Sequence, residues 1–301
     1  MNKSLAFISG CDANYYDMLR EWLDSVRRFP QSQGASFGII DGGLKPEQIE
    51  ALKAEGCIVV TPDWPCELPA HRVRGRNYLK CCVCRPFIPK LFPGFDTYMW
   101  MDADMWLQDW RTVELYLEGA RRKKLAITSQ GDRGYLRQIR VKWLGPFPWK
   151  VRTFYYTNAL GAFGGKIARK ILPYHVLNAG SFALDADAPH WGRWQELILQ
   201  ALKRGKIFTA EQLTLGILTY LEGYPAEILP AWTQWLCENK PHWDKQREMF
   251  VEPFLPNEPI GIVHVSGYDD MRRNRAILTD IPCTDGTSFQ GTLRYPRPDK
   301  P

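Results

Sequence analysis

The sequence predicts an α/β protein built on a mostly parallel sheet with helices on both faces. Strand-length apolar runs alternate with helix-period segments from residue 4 to about residue 62, and Gly or Pro stands at the joins. The 301-residue chain is also 45 % hydrophobic, enough to fill a sizeable core.

"SLAFIS" at 4–9 reads as the first strand. Residues 14–29 read as a helix, because Tyr15, Met18, Leu19, Trp22, Leu23 and Val26 recur at steps of three and four. "ASFGIIDGG" at 35–43 is a second strand ending in a Gly turn. "KPEQIEALKAEG" is a helix with Pro near its start and Gly at its stop, and "CIVVTP" is a third strand. Sheets of this kind bind ligands at the carboxyl ends of their strands. "KCCVCRPFIPKLF" is predicted helical to about residue 88, "DTYMWMDAD" is the fourth strand, "WRTVELYLEGARRKK" a helix, and 125–129 a short strand.

From Gly131 to Gly165 the pattern becomes irregular, mixing aromatics, basic residues, Pro and Gly, and predicts a loop-rich segment. "HVLNAGSFALD" is a strand, "HWGRWQELILQALKRG" and "TAEQLTLGILTYLEG" are helices, and "PIGIVHVSG" is a late strand. The tail 284–301, with three Pro and few apolar residues, is expected to be loosely held.

The 39 Lys plus Arg against 33 Asp plus Glu leave a net charge of +6, a modest excess that does not imply nucleic acid. Eight cysteines scattered through a chain too large to need stapling read as reduced thiols, which suits a cytoplasmic protein. "MNKSLAFISG" lacks a signal-peptide pattern, and no apolar run reaches the ~20 residues that span a bilayer. Membrane contact is therefore expected to be peripheral, at the inner face. Twelve Trp suit either stacking on sugar rings or a Trp-rich core.

"YMWMDADMWLQD" at 98–109 places two carboxylates at the end of a buried strand. Alternation along a strand predicts that Asp102 and Asp104 point to one side while Ala103 points away. Like charges so placed repel unless a hard cation lies between them, and Mg²⁺ or Mn²⁺ held this way completes its shell with substrate phosphates. A bare D-x-D is more often a strand end running into a helix cap. "LDAD" at 184–187 repeats the pattern, so context must choose. The first pair follows the β-α-β-α-β opening, whereas the second runs into "APHW", which suits a turn.

Five segments, in order, resemble the retaining family 8 glycosyltransferases of the Rossmann-like GT-A fold, which include lipopolysaccharide galactosyl- and glucosyltransferases and the glycogenins. "SGCDANYY" resembles the loop that holds the base and ribose of a UDP-sugar, which implies Asp12, Asn14 and Tyr15. "CRPFIPKLFPGFDTYMWMDAD" resembles the Arg and D-x-D block, making Arg85 and Ala103 donor-binding and Asp102 and Asp104 metal ligands. "LNAGSFAL" implies Asn178, Ala179 and Gly180 beside the donor sugar. "AEQLTL" implies Glu211 on sugar hydroxyls and Gln212 at the face of the sugar opposite the leaving group. "IVHVSG" implies His264 as third metal ligand, with Gly267.

The resemblance implies one domain over 1–283, with a nucleotide-binding half at 1–110 and an acceptor and sugar half at 111–283, followed by the tail 284–301. It implies Mn²⁺ or Mg²⁺, a UDP-sugar donor, a saccharide or glycolipid acceptor and hexosyl transfer with retention. Two departures stand out. Asp270 in "GYDDMRRNR" replaces the family's diphosphate lysine, leaving Arg272 or Arg273 to substitute, and Glu211 replaces Asp. A sugar nucleotidyltransferase is the alternative within the fold, but "SGCDANYY" lacks its Gly-rich loop. A non-catalytic carbohydrate-binding relative is the alternative from another class. A phosphatase reading of D-x-D expects Thr or Val soon after, and "DADMW" has neither.

Walker, G-x-G-x-x-G and G-x-S-x-G motifs are absent. The C-x-x-C at 81–84 has no partner pair at zinc spacing and reads as buried thiols, and His175 and His190 read as structural. Arg133, Arg137, Arg140, Lys142, Lys150 and Arg152, interleaved with Tyr135, Trp143, Phe147 and Trp149, read either as a solvated loop or as a surface for an anionic acceptor or the membrane that carries it.

Overall fold

The computed structural model describes residues 4–136 and 138–296. In chain order the strands are β1 (Leu5–Cys11), β2 (Ser36–Asp41), β3 (Ile58–Val60), β4 (Thr97–Met101), β5 (Met105–Leu107), β6 (Leu125–Ser129), β7 (Arg140–Leu144), β8 (Phe147–Arg152), β9 (Leu177–Asp185), β10 (Ala226–Leu229), β11 (Trp235–Leu236), β12 (His242–Asp244), β13 (Met249–Val251), β14 (Ile262–His264), β15 (Thr279–Pro282) and β16 (Ser288–Gly291). A seven-stranded sheet runs β10-β6-β9-β4-β1-β2-β3. All its strands share one direction except β9, which lies antiparallel to both β4 and β6. The predicted α/β class with a mostly parallel sheet is what the strand order and directions give.

Both faces of the sheet are covered, which is why its central strands read as unbroken apolar runs. Along β4, Tyr98 and Trp100 join one core with Ile8, Phe182 and Trp194, while Met99 and Met101 enter the other with Phe7, Trp22 and Leu23. The helix Tyr16–Arg27 buries Met18, Leu19, Trp22, Leu23 and Val26, the stripe its periodicity predicts. Helices Arg111–Arg121 and His190–Arg204 pack likewise by one apolar face, burying Val113 and Tyr116, and Trp194 and Ile198.

Four features depart from the sequence expectation. The helix expected from 80 to about 88 is broken into short turns, Lys80–Val83, Arg85–Phe87 and Ile88–Leu91, because Pro86 and Pro89 each start a new one. The segment 131–165 is not mainly loop. It forms the hairpin β7–β8 and the helix Phe154–Phe163, capped by Thr153 Oγ1 accepting from Tyr156 N at 3.0 Å. The late strand β14 leaves the main sheet and forms a three-stranded one, β11-β14-β5.

The described part of the tail is tied down. β16 pairs with β15, and the Arg294 guanidinium donates to Glu21 at 2.8 and 2.9 Å from a site where both residues are buried. Arg275 adds a third donor at 2.6 Å. Cutting Arg294 back leaves Glu21 buried with a partner missing, so Arg294→Ala is expected to lower unfolding free energy by about 3 kcal/mol, read as a lower urea midpoint at unchanged slope. An unchanged midpoint would show that the tail adds nothing to stability.

Candidate metal centre and its cleft

A cleft of 1010 Å³ opens where β1 and β4 end side by side. From β1 the chain goes to β2 on one side and returns to β4 on the other, and such a switch point leaves a crevice at the carboxyl ends.

Asp102 and Asp104 lie in the turn beyond β4, not on the pleat. The alternation argument is thus corrected: β4 ends at Met101, Asp102 N donates to Gly180 O at 2.8 Å, and Met105 N returns to Asp102 O at 3.1 Å. The chain then enters β5, which pairs with β14 so that Met105 stands opposite His264, and Val265 N donates to Asp104 O at 3.0 Å. This pairing carries a side chain from 160 positions further on to the acidic turn. One ligand atom each of Asp102, Asp104 and His264 lies within 4.8 Å of the others.

The charges are closely matched. Arg85, buried, donates to Asp102 Oδ1 at 2.5 Å, Glu211 Oε1 at 3.2 Å, and the carbonyls of Cys81 and Ala179 at 2.9 and 2.7 Å. Its guanidinium also stacks over Trp100 at 4.3 Å. Trp100 Nε1 adds a donor to the same Asp102 oxygen at 2.9 Å. Arg272 donates to Asp104 Oδ2 at 2.5 Å, and His264 Nε2 stands 3.4 Å from Asp104 Oδ1.

Burial pushes the Asp102 carboxyl up, against Arg85 and with Asp104. Burial opposes ionisation of Asp104 as well, but His264 and Arg272 outweigh it and hold that carboxyl well below the usual range. His264 is held above its ordinary value because Asp104 outweighs burial. Glu211 is pushed up to about 8 by burial, only partly offset by Arg85, so it carries a proton at neutral pH.

Several buried polar atoms in this cleft have no hydrogen-bond partner among the described residues: Asn178 Nδ2, Glu211 Oε2, Ser266 Oγ and Arg272 Nε. Such atoms are costly unless something else satisfies them. Two carboxylates and an imidazole are a donor set for a divalent cation such as Mn²⁺, and the residues fit one. Gly180 keeps the approach open: a Cβ there would stand 3.1 Å from Asp102 Oδ2 and 2.6 Å from Gln234 Nε2.

Of the residues singled out from sequence, Asp12, Asn14, Tyr15, Arg85, Asp102, Ala103, Asp104, Asn178, Gly180, Glu211, Gln212, His264 and Gly267 all line this cleft. Ala179 does not; its side chain is in the core and its carbonyl holds Arg85. Asp12 accepts from Asn14 N at 3.0 Å and from its side chain at 3.1 Å, fixing the loop's shape. Gly267 needs its φ of +78°, and a Cβ would press on Glu238.

Sequence reasoning missed Tyr78, Phe154, Phe208, Glu238 and Ser266 on the cleft wall, and Gln234 behind it. Gln234 Nε2 lies 3.4 Å from His264 Nδ1, and its oxygen accepts from Ser181 at 2.8 Å. Gln234 therefore stands on the Nδ1 side of the imidazole, while Nε2 faces Asp104. Phe154 opens a helix in the segment expected to be loop, Ser266 lies within "IVHVSG", and Tyr78, Phe208, Gln234 and Glu238 sit in short turns without a local signature. No Trp lines the cleft; its aromatics are Tyr15, Tyr78, Phe154 and Phe208, and most of the Trp side chains fill the cores.

The second D-x-D makes a turn, Asp185 being buried against Lys123 at 2.5 Å and Asp187 exposed. Among the described residues no metal-ligating cluster includes the C-x-x-C cysteines. Cys81, Cys82 and Cys84 are buried free thiols. His190 Nε2 pairs with Pro225 O at 2.9 Å.

No protein-family model and no curated protein matches the chain. Among solved structures, it is similar to the galactosyltransferase LgtC in complex with donor and acceptor sugar analogs at TM-score 0.49 and 15 % identity, covering 87 % of each chain. An active-site mutant of LgtC gives TM-score 0.49 and 12 % identity over the same coverage. The bifunctional glycosyltransferase WbbM gives TM-score 0.47 and 12 % identity over 81 % of this chain, which spans 40 % of WbbM. Likeness at this level carries no weight for the site, which is read from its own geometry.

Two outcomes follow from that geometry. Gly180→Ala crowds Gln234 and Asp102, and is expected to cost about 1–3 kcal/mol of stability while weakening Mn²⁺ binding, read by titration calorimetry. Because Glu211 keeps its proton to about pH 8 in the folded chain but loses it near the ordinary carboxylate value when unfolded, its contribution to stability falls as pH rises through that interval. The Tm of Glu211→Gln relative to the parent should therefore rise between about pH 5 and pH 8; a difference flat in pH would contradict the buried proton.

Proposed function

We propose that the chain is a metal-dependent retaining glycosyltransferase of the GT-A type, moving a hexose from a UDP-sugar to a saccharide or glycolipid acceptor. The observation that carries the reading is the Asp102, Asp104 and His264 cluster within one cleft of unpartnered polar side chains at a sheet switch point. Residues 1–110 supply the nucleotide side, and most of the remaining wall comes from 111–283.

Asp102, Asp104 and His264 would hold Mn²⁺ or Mg²⁺, which when bound neutralises charge on a departing diphosphate. Asp12, Asn14 and Tyr15 face the base and ribose. Four of the five Arg85 N–H groups bond to groups of the protein, so its main part is to hold Asp102 and Glu211 in place. Arg272 and Arg273 both line the cleft, and Arg272, which pairs with Asp104, would turn to the diphosphate in place of the family lysine if a metal took that carboxylate. Glu211, carrying its proton, donates to a sugar hydroxyl, and Asn178 Nδ2 offers a second donor. Gln212 lines the same wall and stabilises positive charge developing on the sugar. A neighbouring recess of 290 Å³, sharing Gln130, Leu236 and Glu238 with the cleft, gives the acceptor a place.

Titrating UDP with Mn²⁺, and again with EDTA, tests the reading. Binding on the order of 1–100 µM, lost on chelation, is expected; no binding in either condition by a folded protein overturns it. Asp102→Asn and Asp104→Asn should each lower transfer about 100-fold or more. Arg272→Ala should bind Mn²⁺ alone at least as well as the parent, since the cation competing for Asp104 is gone, yet bind UDP with Mn²⁺ roughly tenfold more weakly.

A further inference from the structure

The hairpin β7–β8 stands out from the body of the protein. Every residue of both strands is exposed, including Trp143 at 63 %, Leu144 at 64 %, Phe147 at 72 % and Trp149 at 73 %. Trp143 and Trp149 are the two strongly exposed Trp side chains among the described residues. A two-stranded hairpin with no packing partner is marginal in water.

Its register makes this worse. Arg140 stands opposite Arg152 and Lys142 opposite Lys150, so four cations share one face in like-charged pairs, which repel. Val141 and Val151 pair on the other face. Beyond a register shift after Lys142 the tip is apolar, with Trp143 opposite Pro148 and Leu144 opposite Phe147. No carboxylate lies nearby in sequence to relieve the charge: between Asp132 and Asp185 there is no Asp or Glu, while nine Arg or Lys fall there. One of the nine, Arg137, lies outside the described residues.

We propose that this hairpin docks the protein on an anionic phospholipid bilayer. Arg140, Lys142, Lys150 and Arg152 meet the headgroups, and the Trp143, Leu144, Phe147 and Trp149 side chains enter the interface below them. Charge complementarity selects an anionic partner, and the apolar tip selects one with an apolar interior, which a soluble polyanion lacks. The hairpin is also joined to the site. The chain leaves the cleft at Gln130, runs through the hairpin and re-enters the cleft wall at Phe154, so a docked bilayer lies beside the cleft. Docking does not depend on the sugar-transfer reading, although it would bring a membrane-borne acceptor to that cleft.

Co-sedimentation with POPC vesicles, and with POPC vesicles containing POPG, tests this without any nucleotide. The parent should bind the POPG vesicles, weakly at high salt, and bind POPC far less. Replacing Arg140, Lys142, Lys150 and Arg152 together by Gln should lower partitioning about 100-fold. Replacing Trp143, Phe147 and Trp149 by Ser should lower it roughly tenfold or more. All these positions are exposed, so both variants should keep the parent's circular dichroism and its UDP titration. Failure of the parent to bind POPG vesicles, equal binding by either variant, or binding to heparin without binding to vesicles would each overturn the proposal. Loss of the UDP reading alone would leave it standing.

Discussion

A single buried guanidinium holds the floor of the cleft together. Arg85 reaches the end of β4 through Asp102, the helix Ala210–Gly216 through Glu211, β9 through the Ala179 carbonyl, and its own helical turn through the Cys81 carbonyl. Four segments distant in sequence thus meet on one charge. The buried Glu211 and the half-buried Asp102 share it, and one cation cannot fully support both, so the balance is met by a proton on Glu211. That leaves Asp102 Oδ1 saturated by Arg85 and Trp100 and its other oxygen facing the gap that Gly180 leaves open.

The second constraint is the small sheet β11-β14-β5. The acidic turn after β4 leads directly into β5, and the pairing of β5 with β14 sets His264 beside Asp104. The turn's own hydrogen bonds, to Gly180 O and from Val265 N, tie it to both sheets at once. The candidate site thus lies at the join of two sheets. Beside it stands Arg272, on the short helix Asp269–Arg273, whose guanidinium also lies 5.8 Å from the Tyr15 ring. Arg272 and the loop carrying Tyr15 are therefore adjacent.

Charge is organised on a larger scale as well. At the cleft floor Asp102, Asp104 and Glu211 are matched by Arg85, Arg272 and His264, while the exposed hairpin sets four cations in like-charged pairs. Buried charges are paired because desolvation leaves no alternative. Exposed cations tolerate one another only at a cost, which makes the hairpin a surface arranged for an outside partner.

Much of this was legible in the sequence, because periodicity, turn residues and the acidic pair are local signals. The β-α-β-α-β opening and the apolar face of the first helix lie where local reasoning put them, and the residues named from the motifs, Ala179 excepted, line one cleft. The hairpin was hidden because its cation–Val alternation is short and Gly145, Pro146 and Pro148 between the two runs read as loop, and Gln234 because it occupies an irregular stretch. What the sequence alone determined was that an acidic pair ends a buried strand of an α/β sheet. Context in the sequence already favoured the first of two such pairs, and tertiary structure decided that only that one faces the cleft. β9 runs antiparallel to β4, with Thr97 opposite Asp185 and Met101 opposite Ser181. Asp185 therefore emerges at the far edge of the sheet, facing Lys123, while Asp102 emerges at the cleft. Strand direction is set by how the chain returns to the sheet, and no local pattern of residues records it.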